Sequence, residues 1–389
     1  MFFKITKCML FGTLLMLFGC EKSSTQVDVT QTEVELRALL NIPDHFAIPA
    51  IPEENMPTAA KIELGRHLFY DTRLSFNNTM SCESCHEQDK AFSDGVARPV
   101  GATGEQLVRN SQGLVNAMYH ASFTWANNGF THIEDQLDVP IRADNPVELG
   151  VTEVYADEVL ARFDADPAYV QMFANAFPES ETGASVNKII FALASFVRTI
   201  VSGDSPFDRF LLGDDNALTD QQKQGFVLFN GEKFECFHCH TGTQLTTSYR
   251  DYNTDPANAQ NQFFNTGLYN LSSEGDYPAE DQGLFDLTNN PADKGFFRPQ
   301  SLRNVAVTAP YMHDGSIATL REVLAHYARG GRLIESGPYA GDGRLNPLKS
   351  DLVPGFNATD EEIDAVIAFL ESLTDESVLT NPALSNPFE

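Results

Sequence analysis

The chain has 389 residues, enough for two or three domains with substantial cores, and its 42% hydrophobic, 21% charged composition is ordinary for a globular protein. Its formal net charge of −28 is not ordinary. A polyanion of this size repels nucleic acid and anionic lipid, which sets both aside as partners, and the acidity reads as solvated surface. At the N-terminus Lys4 and Lys7 precede an apolar run from Cys8 to Gly19, shorter than the roughly 20 residues of a membrane span. Leu17-Phe18-Gly19-Cys20 matches a bacterial lipobox. Residues 1–19 are therefore expected to be a signal peptide, cleaved before Cys20, whose thiol would carry the lipid. The polar, acidic stretch that follows reads as a flexible tether over 20–40. The expectation is an exported protein facing the periplasm, held to the bacterial membrane by its lipid alone.

Six cysteines organise the rest. Apart from Cys8 and Cys20 they form two pairs, each closed by histidine: Cys82-Glu83-Ser84-Cys85-His86 and Cys236-Phe237-His238-Cys239-His240. Cys-x-x-Cys-His is the attachment pattern of c-type haem. The spacing lets both sulfurs reach the vinyl groups of one porphyrin, and the adjacent histidine falls under the iron. Two copies that use every remaining cysteine, behind an export signal, point to two covalently bound haems. Zinc knuckles would lie closer together in sequence, and thioredoxin-type disulfides have no need of both histidines.

The segments before the two sites repeat. Gly65-Arg66-His67-Leu68-Phe69 and Gly225-Phe226-Val227-Leu228-Phe229 each end a helical pattern, and Thr219-Asp220-Gln221-Gln222 is a capping box opening the second. Ile189, Ile190, Leu193, Phe196, Val197 and Ile200 recur at helical spacing after Ser185, a candidate N-cap. Thr241 to Phe297 is rich in Asn, Asp, Gly and Pro and reads as ordered loop. Thr359-Asp360-Glu361-Glu362 opens a further helix, with Ile363, Val366, Ile367 and Leu370 on one face. Helix, haem loop and later helix, occurring twice, predict a mainly α fold of two cytochrome c-like haem-binding domains with long ordered loops. They are placed at 41–215 and 216–389, with the boundary near Gly213 to Thr219.

A haem used only for electron transfer normally has a sixth ligand, and Met312, His313, His326 and Tyr327 are the candidates after the second site. Thr319-Leu320-Arg321-Glu322 is another capping box, and Gly330 is a plausible helix stop. On the helix between them Leu320, Val323, Leu324 and Tyr327 follow i, i+3, i+4, i+7, whereas His326 is rotated about 100° away. Tyr327 is thus aimed at the core, as packing or as ligand.

The run SLRNVAVTAPYMHDGSIATLREVLAHYARGG, from Ser301 to Gly331, resembles the corresponding segment of the bacterial di-haem cytochrome c peroxidase/MauG superfamily. GRHLFYDTRLS, TWAN, PVELG, SGDSPFDRF and ECFHCH look closest to its MbnH-like members, and the resemblance runs from about Asn41 to Phe388. It implies Tyr327 as axial ligand of the second haem, where the peroxidases use methionine. Methionine favours reduced iron, and an anionic oxygen donor favours higher oxidation states. The distal histidine of the switching peroxidases is matched by Ala102 or a neighbour, which implies a permanently open first haem. Gln136, Pro140 and Glu148 correspond to the family's distal-pocket glutamine, proline and glutamate, with an insertion around Ala143 and Asp144. Trp125, the only tryptophan, corresponds to the residue between the haems. Asn110, Thr308 and Pro310 correspond to the ligands of one interdomain calcium.

The function so implied is peroxide-driven. Hydrogen peroxide would meet the His86 haem and be cleaved with Glu148 moving the proton and Gln136 hydrogen-bonding. The resulting high-valent di-haem state, spread through Trp125, would oxidise an aromatic residue of a separate protein. For MbnH-like members that residue is a tryptophan of a copper-binding, MbnP-like companion, converted to a kynurenine. The alternative is a di-haem cytochrome c peroxidase reducing peroxide to water with electrons from a small cytochrome or cupredoxin; Met312 on the second iron would favour it. A non-catalytic di-haem carrier would need both irons six-coordinate at rest.

Overall fold

A computed structural model describes residues 25–180, 183–255 and 262–389, with side chains from residue 32 onward. The expected signal peptide 1–19 and the lipidation site Cys20 lie outside the described residues. The tether expected over 20–40 is corrected in its second part: Thr25–Leu40 forms helix α1. Leu40 is fully buried, and Leu36 packs in the same cluster with Phe46 and Tyr119, so apolar contacts hold the end of this segment against the first unit. Among the described residues no helix is long and apolar enough to cross a membrane.

The first unit contains α2 (Ala59–Tyr70), α3 (Ile133–Arg142), α4 (Ala156–Asp164), α5 (Pro167–Ala176) and α6 (Val186–Val197). Thr58 caps α2 by accepting from Lys61 N, and Ser185 caps α6 by accepting from Lys188 N. The predicted face of α6 is buried, with Ile189, Leu193 and Phe196 closing on Leu64, Leu68 and Phe69 of α2. The two helices cross at Gly65. A β-carbon there would lie 2.0 Å from the Ala192 carbonyl oxygen and 2.9 Å from Phe196 Cβ, so the approach needs glycine.

The second unit repeats this device. It contains α7 (Pro206–Leu211), α8 (Asp220–Phe229), α9 (Phe285–Thr288), α10 (Leu320–Arg329), α11 (Asp360–Glu371) and α12 (Glu376–Thr380). The two-residue strands β1 (Leu333–Ile334) and β2 (Gly341–Asp342) form one short antiparallel pair. Helices α8 and α11 cross at Gly225, whose β-carbon would lie 1.9 Å from Ala365 O and 2.8 Å from Phe369 Cβ. The capping boxes at Thr219, Thr319 and Thr359 all form, and Gly330 ends α10 at φ 74°. Duplication is therefore visible in the packing as well as in the motifs.

The units are less cleanly divided than 41–215 and 216–389. Phe207 and Phe210 of α7 pack into the second core beside Phe226 and Phe369. Conversely, Val378 and Leu384 near the C-terminus belong to the first core. There the Tyr70 phenol donates to Leu384 O and Arg66 Nε donates to Ser385 O. The chain end thus straps the second unit to the first. Arg109 and Asp281 add a bidentate ion pair across the junction, both contacts at 2.8 Å.

Candidate active site

Both Cys-x-x-Cys-His motifs start on short 3₁₀ turns, Cys82–Ser84 and Cys236–His238, and all four thiols are unbridged. His86 Nδ1 lies 2.7 Å from Phe92 O, and His240 Nδ1 lies 3.2 Å from Leu245 O and 3.1 Å from Gln300 O. A carbonyl only accepts, so Nδ1 carries the proton and Nε2 keeps the lone pair a metal requires. Phe92 and Leu245 both adopt left-handed backbone, φ 60° and 50°, unusual for side chains of their size. Burial holds His86 below its ordinary pKa and His240 down to about 4, the neutral, ligating form. Paired thiols beside an oriented imidazole fit covalent haem at both sites.

Gln136 and Pro140 lie one turn apart on α3, and Pro140 meets the loop that carries Glu148. A buried bidentate ion pair fixes α3 to the end of α6: Arg198 donates to both Glu134 carboxylate oxygens at 2.8 Å. Pro140 has no N–H for the Gln136 carbonyl, and the Gln136 side-chain oxygen is itself buried without a donor. The loop carrying the insertion at Ala143 and Asp144 folds back through an Asp144–Val147 bridge. Leu149 N then donates to Pro140 O at 2.9 Å and Val151 N to Ile141 O at 2.8 Å, which closes the loop on α3. The loop carrying Ala143 and Asp144 therefore returns the residue after Glu148 to Pro140 on α3. Ala102 N donates to Glu148 O at 2.8 Å, so the position matched to a distal histidine holds a methyl group beside Glu148.

The Glu148 carboxyl is half-buried and accepts no hydrogen bond among the described residues. Desolvation pushes it up to about 7, and its charge is felt by both Cys82 and Cys85, which places it beside the first haem attachment. A carboxyl poised near neutrality can take and return a proton.

At the second site a cavity of about 250 Å³, mostly apolar, is bordered by Cys236, Cys239 and His240 and by Leu320, Val323, Leu324 and Tyr327 of α10. The predicted helix face is the one that meets the cavity. His326 is buried elsewhere, whereas Met312 and His313 also border the space. The Tyr327 phenol differs from the other tyrosines. Tyr70, Tyr119, Tyr169, Tyr249, Tyr269, Tyr277, Tyr311 and Tyr339 all hydrogen-bond to protein oxygens. Among the described tyrosines that are not exposed, Tyr327 alone has no such partner, and it borders the cavity.

The same cavity reaches Trp125, Asn110, Thr308 and Pro310. Trp125 Nε1 donates to Asn110 O at 2.8 Å, and Asn110 Nδ2 donates to Val96 O at 2.8 Å, leaving Oδ1 free. Asn110 Oδ1 and the carbonyls of Thr308 and Pro310 accept no hydrogen bond among the described residues, and three such oxygens suit calcium. Sequence reasoning missed Arg298. It is buried with no carboxylate partner, and Nη1 is unpaired although Nε donates to Thr124 O and Nη2 to Gln112 and Gln300 oxygens. Burial brings it down to about 9, which still leaves it charged at neutral pH. With the unpaired Gln300 Nε2 it offers donors to an acidic group in the cavity, such as a haem carboxylate.

Two linked haem-attachment sites on a duplicated helical scaffold define a di-haem c-type cytochrome. The family model described as di-haem cytochrome c peroxidase, CCP_MauG, matches residues 59–216. The chain is 32% identical over 362 residues to the methylamine utilization protein MauG of Methylorubrum extorquens, covering 93% of this chain and 90% of that protein. It is 31% identical to the cytochrome c551 peroxidase of Pseudomonas aeruginosa, covering 80% and 78%. A solved MauG-like protein associated with microbial copper homeostasis superposes with a TM-score of 0.87 at 43% identity, covering 90% of this chain and 99% of that one. The chain belongs to the di-haem cytochrome c peroxidase/MauG family, and it is a haem oxidoreductase acting with peroxide.

Proposed function

We propose that the protein is a MauG/MbnH-like enzyme that uses hydrogen peroxide to oxidise an aromatic residue, tryptophan foremost, of a separate protein. The observation that carries this reading is the unpartnered Tyr327 phenol on the cavity that His240 also borders. Cys82, Cys85 and His86 hold the first haem; Cys236, Cys239, His240 and Tyr327 hold the second. When bound, the haem pair supplies the redox chemistry, accepting the two oxidising equivalents of one peroxide for delivery to the substrate. Glu148 takes the peroxide proton and returns it to the departing oxygen. Gln136 orients the bound molecule, and Pro140 keeps the helix backbone open beside it. Trp125, on the border of the second cavity, serves as the oxidisable ring that relays between the two centres, steadied by Asn110, with one calcium on Asn110, Thr308 and Pro310. The similarity to a copper-homeostasis protein supports a copper-binding companion as substrate. In this reading Cys20 carries the lipid that holds the enzyme on the periplasmic face of a membrane.

A second reading is kept alive by Met312, which borders the same cavity. With methionine as ligand the protein would be a cytochrome c peroxidase drawing on a small electron donor. Stoichiometric peroxide titration of the holoprotein, followed optically and by spin resonance, separates the two. Replacing Tyr327 with Phe is expected to abolish the response of the second haem with both haems still attached. An unaltered response in that variant refutes tyrosine ligation.

A further inference from the structure

A chain of tyrosines leads from the second cavity to the surface. The Tyr277 ring borders the cavity and is buried. Its centroid lies 5.5 Å from that of Tyr269, which lies 5.7 Å from that of Tyr339, both in edge-on contact. Tyr339 sits half-exposed in the loop joining β1 to β2. The three rings share one small core cluster, where the larger cores of both units are mostly aliphatic and phenylalanine.

The hydrogen bonds give the rings different capacities. A phenol loses an electron readily only when its proton leaves to a base at the same time. Tyr269 donates to Asp314 Oδ2 at 2.5 Å, and Tyr339 donates to Glu280. Burial alone would raise Asp314, but His313 and hydrogen bonds from Tyr269 and Ser316 hold it below the usual carboxylate range, so it is ionised and able to accept. Tyr277 donates to the Asn265 amide oxygen at 2.8 Å, which is not a base. Tyr277 therefore bridges, whereas Tyr269 and Tyr339 can each rest in the oxidised, deprotonated state.

We propose that Tyr277, Tyr269 and Tyr339 form a relay carrying electrons inward from a protein substrate docked at the Tyr339 surface to the second haem site. The inference rests on the function proposed above and names where its substrate must present an oxidisable ring. Tyr269 gives an electron through Tyr277 to the peroxide-oxidised haem pair and its proton to Asp314. Tyr339 then restores the Tyr269 electron, giving its own proton to Glu280, while Asp314 returns the proton to Tyr269. The substrate ring in turn re-reduces Tyr339 as Glu280 returns its proton, and the oxidised substrate releases its own proton to solvent. Two such passages, with two protons, convert one hydrogen peroxide to two waters and leave the substrate oxidised by two electrons.

The test uses the holoprotein with one equivalent of peroxide and no protein substrate, so that the relay itself retains the oxidising equivalent. Freeze-quench spin resonance should show a tyrosyl radical, and peptide mass spectrometry should find oxidation or dityrosine at Tyr339. In samples matched for haem content, Tyr269→Phe keeps the ring and removes the phenol; it should lower Tyr339 modification at least tenfold. Asp314→Asn, which removes the base, should do the same. Equal modification of Tyr339 in wild type and both variants overturns the relay, as does modification at the exposed Tyr252 in place of Tyr339. Absence of any optical response of the wild-type haems to peroxide overturns the proposed function, and the relay with it.

Discussion

The proton function of Glu148 makes a quantitative prediction about pH. Desolvation without a compensating donor raises this carboxyl to about 7, so the ionised form is favoured only above that value. The ionised fraction is about one half at pH 7, about one tenth at pH 6 and about one hundredth at pH 5. If the carboxylate takes the peroxide proton, the second-order rate of the holoprotein with peroxide falls about 100-fold from its alkaline plateau to pH 5. Glu148→Gln keeps the shape and removes the titration. Its rate should be independent of pH and lie about 10² to 10⁴ below the wild-type plateau, the usual scale of general acid–base help. At the smaller of these penalties the two curves meet near pH 5, where the native carboxyl is itself almost wholly protonated. Stopped-flow absorbance of the haems at several peroxide concentrations measures both curves. A wild-type rate that is flat from pH 5 to 8, or the same inflection persisting in Glu148→Gln, would refute the assignment.

Other perturbations probe the scaffold and the junction. Gly225→Ala places a methyl group 1.9 Å from the Ala365 carbonyl, forcing α8 and α11 apart; overpacking of this kind costs about 1–3 kcal/mol. Thermal melting of the holoprotein should fall by about 2–4 °C per kcal/mol, and Gly65→Ala should act similarly in the first unit; an unchanged Tm in either would contradict the crossing geometry. Elemental analysis should find one calcium per chain, and Asn110→Ala, which deletes the free Oδ1, should lower that content. Equal calcium in both proteins would remove Asn110 from the site.

What could be read in advance was local or periodic. Capping boxes at Thr219, Thr319 and Thr359 are four-residue devices whose bonds close within themselves, so neighbours decide them. The face of α10 was legible because Leu320, Val323, Leu324 and Tyr327 keep the helical period. Helix α3 was not, since Pro140 interrupts a short pattern and its position depends on the Glu134–Arg198 pair, far apart in sequence. The packing of α7 was not legible for a related reason: it has only six residues, and nothing local tells Phe207 which core it will enter. Arg298 sits in an irregular loop, and only burial distinguishes it from a surface arginine.

The contrast between the two sites follows from what each half inserts between its paired helices. Gly65 with Ala192 and Phe196, and Gly225 with Ala365 and Phe369, give the same close crossing. In both halves a left-handed residue lends its carbonyl to the proximal imidazole. Beyond that shared frame the first half sends α3 and its folded-back loop, which bring an amide oxygen without a donor and a carboxyl near neutrality. Gln136 lies on α3 itself, whereas Glu148 comes from the loop folded back on that helix. The second half sends α10, a capped helix ended at Gly330, which brings Tyr327 to the cavity that His240 also borders. Two copies of one scaffold thus carry different titratable side chains beside their cysteine pairs, Glu148 in the first and Tyr327 in the second.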